Sequence, residues 1–319
     1  MNTIEEIAAI IKSFKSAVIF THTRPDGDTV GSAMALSRAL TLLGVKNEVV
    51  SDSEIPARFH FLAGIEAIRS VPTLDAEGYI CVDVSAETRL GELARTFSKG
   101  GRKVTVNIDH HLSNTRFCRY NYVRECSSNC ENIAALLRAM GVKPDRLIAQ
   151  YLLTGMVTDS GSFSHSDVTG DSLRAAAECL DEGADISTVT YEAYKKQSKA
   201  RAQLYAAVIS RLRFLLEDRL AIALVTQDML QKYALKMDAT EGIVDFALAI
   251  DDVEVSVCLL EMKRGQYKAS LRSKKVNVNE VAGVYGGGGH MFAAGCMLFG
   301  DIEEICDKLR YTVSQYIEE

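Results

Sequence analysis

The sequence predicts an α/β protein with a mostly parallel sheet flanked by helices, plus a smaller C-terminal α+β domain joined by a helical connector. In residues 1–188, short apolar runs lead through polar turns into helical patterns, which is typical of parallel sheets. Residues 189–211 are polar with helical periodicity and are predicted to connect the two domains. Residues 212–319 contain mainly strand-like runs and end in one helix, which indicates the α+β domain.

The first elements form one strand, turn and helix unit. Residues 4–14 carry apolar side chains at helical spacing and are predicted as an opening helix. Residues 17–20 are predicted as a buried strand, and 21–28 as a polar turn. Residues 29–43 are then strongly helical and end at Gly44. Since ligands of such sheets bind at the carboxyl ends of strands, the polar turn is a candidate site.

The remaining elements follow the same patterns. Further strands of the first domain are predicted at residues 49–50, 79–85 and 103–106, with helices at 129–140, 146–157 and 173–180. In the second domain, antiparallel strands are predicted at residues 220–225, 253–260 and 267–272, with a final helix from 302 to 313.

Composition narrows the class of protein. The chain has 319 residues and a net charge of −6, so it lacks the global basic surface that proteins use to bind long duplex nucleic acid. No apolar run reaches the roughly 20 residues that span a bilayer. The N-terminal residues do not resemble a signal peptide, so a cytoplasmic protein without membrane contact is expected. The eight scattered cysteines are interpreted as small core residues.

Ionisable side chains follow the predicted strands at the points where they end. Asp109, His110 and His111 come directly after a β-branched strand, where they are costly unless paired or bound to a metal. Asp83 ends another strand. The full set of such residues at strand and helix ends is His22, Asp26, Asp28, Asp83, Asp109, His110, His111 and Asp159.

Each part of this set also has a structural interpretation. Asp26-Gly27-Asp28 alone is typical of a turn with a helix N-cap, and Asp83 alone can cap a helix. Taken together, the carboxylates and imidazoles favour a metal site, and they suit Mn²⁺, Fe²⁺ or Co²⁺ better than Ca²⁺ or thiolate-bound Zn²⁺. The number of ligands suits two adjacent ions that share a carboxylate and activate water for attack on a phosphoryl group.

These motifs resemble, in order, the four signature motifs of the DHH phosphoesterase superfamily. They are His22-Thr-Arg-Pro-Asp26-Gly-Asp28, the isolated Asp83, Asp109-His110-His111 and Thr158-Asp159-Ser160-Gly161. Residues 268–273 and 286–295 resemble the DHH-associated C-terminal substrate domain. The resemblance covers essentially the whole chain, and it implies a catalytic domain at 1–188 and a substrate-binding domain at 212–319.

The resemblance also implies residue roles. Two divalent metal ions, with Mn²⁺ expected, would be held by His22, Asp26, Asp28, Asp83, His110 and Asp159. Asp83 would bridge the ions, His111 would face the substrate phosphate, and Asp109 would orient a histidine from behind, so these three are the expected catalytic residues. Ser127 to Glu131 departs from the usual pattern of relatives, which leaves the role of this segment open, base or sugar contacts included.

The glycine-rich segment is the second candidate site. Gly286 to Gly289 alone is typical of a flexible loop, and no P-loop pattern follows it. With Arg272 and His290 in the same domain, phosphate capture is the better interpretation. The predicted substrate-binding residues are Arg272, Ser270, His290, Gly287, Gly288 and Gly289, with unpaired backbone N–H groups of the glycines as donors.

The activity implied by the resemblance is that of a nanoRNase or oligoribonuclease. Such enzymes hydrolyse short single-stranded RNA and linear dinucleotides such as pApA or pGpG to mononucleotides, and some dephosphorylate 3′-phosphoadenosine 5′-phosphate. Rival activities are an exopolyphosphatase or pyrophosphatase and a single-strand exonuclease, and a non-catalytic nucleotide sensor is the rival from another class. The sequence leaves the preferred substrate, the physiological metal and the oligomeric state open, a homodimer included.

Overall fold

Five parallel strands form the sheet of the N-terminal unit, in the order β2-β1-β3-β4-β5. The computed structural model describes residues 2–101 and 103–317. The strands are β1 (Ser16–Phe20), β2 (Lys46–Val50), β3 (Gly78–Val82), β4 (Val104–Asp109) and β5 (Tyr120–Val123). The helices are α1 (Ile4–Lys12), α2 (Gly27–Leu42), α3 (Ala94–Lys99), α4 (Asn129–Met140), α5 (Arg146–Asp159), α6 (Gly170–Asp181) and α7 (Ile186–Thr190).

Both faces of this sheet are buried, as the alternation of side chains in β1 shows. Ala17 and Ile19 belong to a core that the helices α1, α2, α4 and α5 share. Val18 and Phe20 point to the other face and pack with Phe97 of α3. A parallel sheet that is covered on both sides has nearly continuous apolar strands. The apolar runs in the sequence of the first domain therefore indicate a sheet with helices on both faces. The predicted α/β fold class is confirmed.

The C-terminal unit contains a second, mixed sheet of six strands in the order β10-β11-β9-β8-β7-β6. Its strands are β6 (Arg213–Leu215), β7 (Leu220–Val225), β8 (Val255–Lys263), β9 (Gln266–Ser273), β10 (Gly288–His290) and β11 (Ala293–Phe299). Its helices are α8 (Lys199–Ile209), α9 (Gln227–Lys232), α10 (Ile243–Leu248), α11 (Val278–Gly283) and α12 (Ile302–Ser314).

The prediction of antiparallel strands is wrong for one pair. β7 and β8 run parallel, with Leu220 opposite Val255, whereas the other pairs of this sheet are antiparallel. The reason is the long connection between them: α9 and α10 lie in it and return the chain to the same end of the sheet, as a parallel pair requires.

The sequence analysis did not predict four of the strands, β5, β6, β10 and β11. β5 has only four residues and includes the buried Asn121, so it lacks a continuous apolar run. β10 and the start of β11 consist mainly of glycine and alanine, which have low strand propensity. Gly288 to His290, expected in a loop, therefore form a short edge strand that pairs with Ala293 to Gly295.

The predicted helical connector, residues 189–211, is helical in two parts. α7 continues into one turn of π-helix, Tyr191–Lys195, and the backbone becomes extended at Lys196. α8 then begins with Ser198 as its N-cap. The chain divides into two compact units between Lys196 and Gln197, inside the predicted connector.

Candidate metal centre

The carboxyl ends of three adjacent strands deliver most of the predicted site residues to one edge of the N-terminal sheet. His22 lies two residues after β1, and Asp83 follows β3 directly. Asp109 is the last residue of β4, and His110 and His111 come next. The strand order changes direction between β1 and β3, and ligands of open α/β sheets bind in the crevice at such a point.

Two helix ends supply the remaining carboxylates, those of Asp26, Asp28 and Asp159. Asp26 is the N-cap of α2: its Oδ1 accepts the backbone N–H of Thr29 at 3.0 Å, while its Oδ2 lies 3.6 Å from His22 Nε2. The capping role therefore uses one oxygen and leaves the other facing the cluster. Asp28 lies in the first turn of α2, and Asp159 is the last residue of α5.

Asp83 lies at the centre of the cluster, and its two oxygens face opposite sides. Oδ2 lies 3.5 Å from His22 Nε2 and accepts the hydroxyl of Thr29 at 2.5 Å. Oδ1 lies 3.4 Å from His110 Nε2 and 3.6 Å from His111 Nδ1, and it is buried without a hydrogen-bond partner. This is the arrangement of a carboxylate that can bridge two cations. Its backbone has a φ of 60°, which is uncommon outside glycine.

Backbone carbonyls orient both histidines of the predicted ligand set. His22 Nδ1 lies 2.8 Å from the carbonyl of Thr23, and His110 Nδ1 lies 2.9 Å from that of Cys126. With the Nδ1 proton donated to a carbonyl, the Nε2 atom of each ring points to the carboxylates. Ligand histidines of metal sites are held in this way, with the second ring nitrogen fixed by a hydrogen bond.

Asp28 is held by the N-terminus of α4, about 100 residues away in sequence. Its Oδ2 accepts the N–H of Asn129 and its Oδ1 accepts that of Cys130, at 2.5 and 2.9 Å. Close packing of α2 on α5 makes this possible, because a Cβ added at Gly155 would lie 2.2 Å from Cys130 Sγ and 2.6 Å from Asp28 Oδ1. Glycine is therefore required at that position for Asp28 to sit where it does.

The pKa values in the cluster are shifted because several carboxylates are crowded together with few cationic side chains. Burial, together with the charges of Asp83 and Asp159, raises the pKa of Asp28 well above its usual range. Burial and Asp83 raise the pKa of Asp159 to about 7. Burial disfavours the charged form of His110, but the contact with the Asp83 carboxylate and the charge of Asp28 outweigh it and raise its pKa to about 11. For His22 the contacts with Asp26 and Asp83 likewise outweigh burial and raise its pKa to about 10.

These side chains fit divalent cations. Two groups each bring three ligand atoms within 4.8 Å of one another: His22, Asp26 and Asp83, and Asp28, His110 and Asp159. The nitrogen to oxygen distances of 3.4 to 3.9 Å are long for hydrogen bonds. Atoms that share a cation at about 2.1 Å lie about 3.0 to 3.5 Å apart, so small movements would complete either site. The orphaned oxygen of Asp83 then gains a partner.

His111 and Asp109 form a pair beside the two groups. Asp109 is fully buried; its Oδ1 lies 2.8 Å from His111 Nδ1, and its Oδ2 accepts the amide of Asn114 at 2.5 Å. The hydrogen bond to Asp109 raises the pKa of His111. The side chain of His111 is 41% exposed, compared with 12% for His110, so its Nε2 is the ring nitrogen that faces solvent.

The predicted substrate residues of the C-terminal unit share one face of its sheet. Arg272 of β9 pairs with Ala293 of β11, which pairs with His290 of β10, so the three residues point to the same side. Ser270 lies two residues before Arg272 and shares that side. Arg272 Nε lies 3.3 Å from Asp245 Oδ1 of α10, an acidic partner that the sequence analysis missed.

The expectation of unpaired N–H groups in the glycine segment is wrong for three of its four residues. Gly286 and Gly287 donate to the carbonyls of Gly283 and Ala282, and Gly289 donates to the side chain of Asn279 at 2.8 Å. The N–H groups of Gly286 and Gly287 close the turn after α11, and that of Gly289 is bonded to a side chain of α11. The backbone N–H groups of these three glycines are therefore not available to an anion.

Ser127 to Glu131, whose role the sequence left open, are buried and build the support of the centre. Their backbone begins α4 and supplies the two N–H groups that bind Asp28. Asn132 also donates to the carbonyl of Asp109 at 3.1 Å. The burial of this segment argues against base or sugar contacts. In the sequence, the signal of this role is the run of polar residues at the start of a predicted helix.

Comparison with known proteins assigns the chain to a family. A model of the N-terminal domain of the DHH family matches residues 16–156, and a model of the DHHA1 domain matches residues 217–319. The bifunctional oligoribonuclease and PAP phosphatase NrnA of Thermus thermophilus is 30% identical over 317 residues, 97% of this chain and 93% of that protein. The chain belongs to the DHH family, and it is a phosphoesterase of this metal-dependent family. The resemblance seen in the sequence is confirmed.

Other relatives match over nearly the whole chain. The probable bifunctional oligoribonuclease and PAP phosphatase NrnA of Streptococcus mutans is 27% identical over 314 residues, 97% of this chain and 99% of that protein. The crystal structure of an exopolyphosphatase-related protein from Bacteroides fragilis superposes with a TM-score of 0.88 at 26% identity, covering 98% of this chain and 96% of that one. In the part of the chain that the structure describes, no helix has the length and apolar character to cross a membrane.

Proposed function

We propose that the protein hydrolyses the phosphodiester bonds of short single-stranded oligoribonucleotides and linear dinucleotides to mononucleotides, with two Mn²⁺ ions. The observation that carries the proposal is Asp83, whose two oxygens face the two separate groups of ligand atoms. The choice of substrate is supported by relatives named as bifunctional oligoribonucleases and PAP phosphatases, similar over nearly their full length. On the same support, 3′-phosphoadenosine 5′-phosphate is proposed as a second substrate.

The residues of this chain have distinct roles in the proposed reaction. His22, Asp26 and Asp83 would hold one ion, and Asp28, Asp83, His110 and Asp159 would hold the other. The bound ions would supply a hydroxide at neutral pH and neutralise charge on the phosphoryl group. His111 donates a hydrogen bond from its Nε2–H group to a phosphate oxygen, and Asp109 favours the charged ring by accepting a hydrogen bond from the Nδ1–H group, with 2.8 Å between Nδ1 and Oδ1. Asn114 holds the second oxygen of Asp109.

The C-terminal unit is proposed to bind the phosphate at the other end of the substrate. Arg272, Ser270 and His290 share one face of the sheet and offer charged and polar donors there. Gly288 and Gly289 contribute as part of the edge strand that presents His290, and Gly287 directly precedes it. The N–H groups of Gly287 and Gly289 are bonded within the unit. Adjacent strands are about 4.8 Å apart, so Arg272 and His290 lie about 10 Å apart across β11, a spacing that both side chains can bridge.

The test compares the proposed substrates with those of the rival activities. Purified protein with Mn²⁺ is incubated with 5′-phosphorylated RNAs of two, three, five and thirty nucleotides, 3′-phosphoadenosine 5′-phosphate, pyrophosphate and polyphosphate. We expect the highest kcat/KM for the two- to five-nucleotide RNAs. Equal turnover of the 30-mer would make the protein an exonuclease, preference for polyphosphate would make it an exopolyphosphatase, and binding without turnover would make it a sensor.

A further inference from the structure

Asp159 is the predicted metal ligand whose place depends on the end of a helix. It is the last residue of α5, and no basic residue lies in the last turn of that helix. The final carbonyl groups of a helix have no partner within it, so other parts of the protein must bind them. The side chain of Asp159 is 31% exposed, whereas those of Asp28 and Asp83 are 1% and 2% exposed. Close packing therefore holds this carboxylate less firmly than the other two.

The chain that follows α5 makes a left-handed turn. Gly161, Ser162 and Phe163 have φ values of 57°, 57° and 63°. Residues adopt this conformation singly, and rarely in succession. Ser160 supports the turn, because its Oγ accepts the backbone N–H of Phe163 at 2.9 Å. Asp159 thus lies where a right-handed helix changes into a left-handed turn, and the contacts around this junction determine where its carboxylate points.

Tyr194 binds the carbonyl groups at this junction. Its hydroxyl lies 3.0 Å from the carbonyl oxygens of Val157 and Thr158, the two residues before Asp159. The carbonyl of Val157 also accepts the N–H of Ser162 at 2.8 Å. Burial raises the pKa of Tyr194 above its usual value, so the hydroxyl keeps its proton and acts as a donor.

The segment that carries Tyr194 is itself unusual. It is the π-helical turn Tyr191–Lys195, and single turns of this kind are rare and frequent at functional sites. Tyr194 also lines a small cavity, of about 100 Å³, together with Asp26 and Asp159. Each of these two carboxylates belongs to one of the two groups of ligand atoms. The π-helical turn therefore places the tyrosine beside the metal centre, although none of the signature motifs includes it.

We propose that Tyr194 is a positioning residue for Asp159, which it holds in place through hydrogen bonds to the last carbonyl groups of α5. The inference rests on the proposed function and adds a residue to it. Asp159 Oδ2 lies 3.5 Å from His110 Nε2, at the upper limit of the roughly 3.0 to 3.5 Å that separates two atoms bound to one cation. A further shift of the helix end would therefore weaken that ion site.

An electrostatic effect acts in the same direction as the geometric one. The carbonyl groups at the end of α5 carry the negative end of the helix dipole, which opposes the charged form of Asp159. A hydroxyl that donates to two of these carbonyls offsets part of that potential. A tyrosine that served only to attach the π-helical turn to α5 would instead change the stability of the protein and leave its affinity for metal unchanged.

The experiment compares two tyrosines that both donate to backbone carbonyls. Tyr194→Phe removes the hydroxyl and keeps the ring. Tyr151→Phe is the matched control, because the hydroxyl of Tyr151 donates to the carbonyl of Ala63 at 2.5 Å. Tyr151 belongs to α5 as well, but it precedes Asp159 by about 12 Å along the helix. A third variant, Asp159→Asn, removes the charge of the ligand on which Tyr194 is proposed to act.

Two properties of the metal-free proteins are measured: the Tm, and the affinity for each Mn²⁺ ion by calorimetric titration. Tyr194→Phe should keep one Mn²⁺ site at wild-type affinity and weaken the other by about 10- to 100-fold, the range for residues that support a metal ligand. Tyr151→Phe should lower the Tm and bind both ions as wild type does. Added to Asp159→Asn, Tyr194→Phe should weaken Mn²⁺ binding no further, because the residue through which it acts has lost its charge.

Several results would overturn the inference. Tyr194→Phe with wild-type affinity for both ions would show that the hydroxyl does not position a ligand. Equal weakening by Tyr151→Phe, or a further loss of affinity when Tyr194→Phe is added to Asp159→Asn, would show that the effect does not pass through Asp159. If wild type binds two Mn²⁺ ions but does not hydrolyse a dinucleotide, the proposed function fails and the titrations still decide the role of Tyr194. If wild type binds no Mn²⁺, both fail.

Discussion

The substitution Gly155→Ala tests whether close packing of α2 on α5 sets the geometry of the metal centre. The added Cβ would lie 2.6 Å from Asp28 Oδ1, and ordinary contacts begin at 3.4 Å, so Asp28 or its support must move by about 0.8 Å. The Cβ would also lie 2.2 Å from Cys130 Sγ, which requires a larger movement at the start of α4. Both contacts would therefore displace Asp28, which belongs to the group of ligand atoms with His110 and Asp159, or the start of α4, which holds Asp28 in place.

The magnitudes separate an effect on stability from an effect on catalysis. Overpacking costs about 1 to 3 kcal/mol, and alanine regains about 1 kcal/mol over glycine inside a helix, so the free energy of unfolding should fall by about 0 to 2 kcal/mol. The protein should remain folded. A displacement near 1 Å at a catalytic constellation can cost about 100-fold in rate, so kcat/KM should fall by about that factor while the protein stays folded.

The assay combines urea unfolding, elemental analysis of bound metal and kcat/KM for a dinucleotide. Gly283→Ala is the control, because Gly283 ends helix α11 and an added Cβ there meets nothing within 4 Å. The double variant Gly155→Ala/Cys130→Ala removes the contact with sulfur and keeps the contact with Asp28. Its free energy of unfolding should therefore be higher than that of Gly155→Ala or Cys130→Ala alone, while kcat/KM stays low. Wild-type activity and metal content in Gly155→Ala would refute the reasoning.

Three further predictions concern individual residues. Asp83→Asn should lower the content of both metals, and asparagine is chosen because it tolerates the left-handed backbone better than alanine. It should reduce kcat/KM by more than about 100-fold, which is the upper range for losing a residue that only supports a ligand. Retention of two metals would contradict a bridging role. His111→Gln should reduce turnover with metal content kept, whereas His110→Gln should lower metal content as well, and elemental analysis showing equal losses would contradict the division of roles. Arg272→Ala should reduce kcat/KM about 10- to 100-fold for 5′-phosphorylated dinucleotides and much less for bis-p-nitrophenyl phosphate, and Arg272→Lys should restore part of the loss. Equal losses on both substrates would exclude the binding of a second phosphate by Arg272.

Much of the N-terminal fold can be predicted because its strands are buried on both faces. Continuous apolar runs such as 17–20 mark the strands, and polar residues directly after them mark the edge where ligands gather. The helix predicted at 129–140 has the observed bounds of α4. The structure brings the candidate ligands together at that edge, and they were predicted because they are ionisable side chains in places where an isolated charge is unfavourable.

The rest depends on contacts that local patterns do not encode. The hydrogen bonds from α4 to Asp28 join residues more than 100 positions apart, and nothing near Asp28 announces them. The pairing of β7 with β8 follows from the path of the intervening helices, and that of Arg272 with Asp245 from the packing of α10. The glycine segment was misjudged for a related reason: whether an N–H is free depends on its neighbours, here Asn279 and the turn after α11.

Two of the cluster's carboxylates occupy positions that the local backbone disfavours. Asp159 ends α5, where the helix dipole opposes negative charge by about 0.3 to 1 kcal/mol and where no basic residue lies in the last turn. Asp83 holds a left-handed backbone that most residues avoid. Both carboxylates face the same ring, that of His110, at 3.4 and 3.5 Å. Local rules broken twice within one cluster point to selection for the cluster itself, and divalent cations, if held there as proposed, would offset the negative charge of both carboxylates.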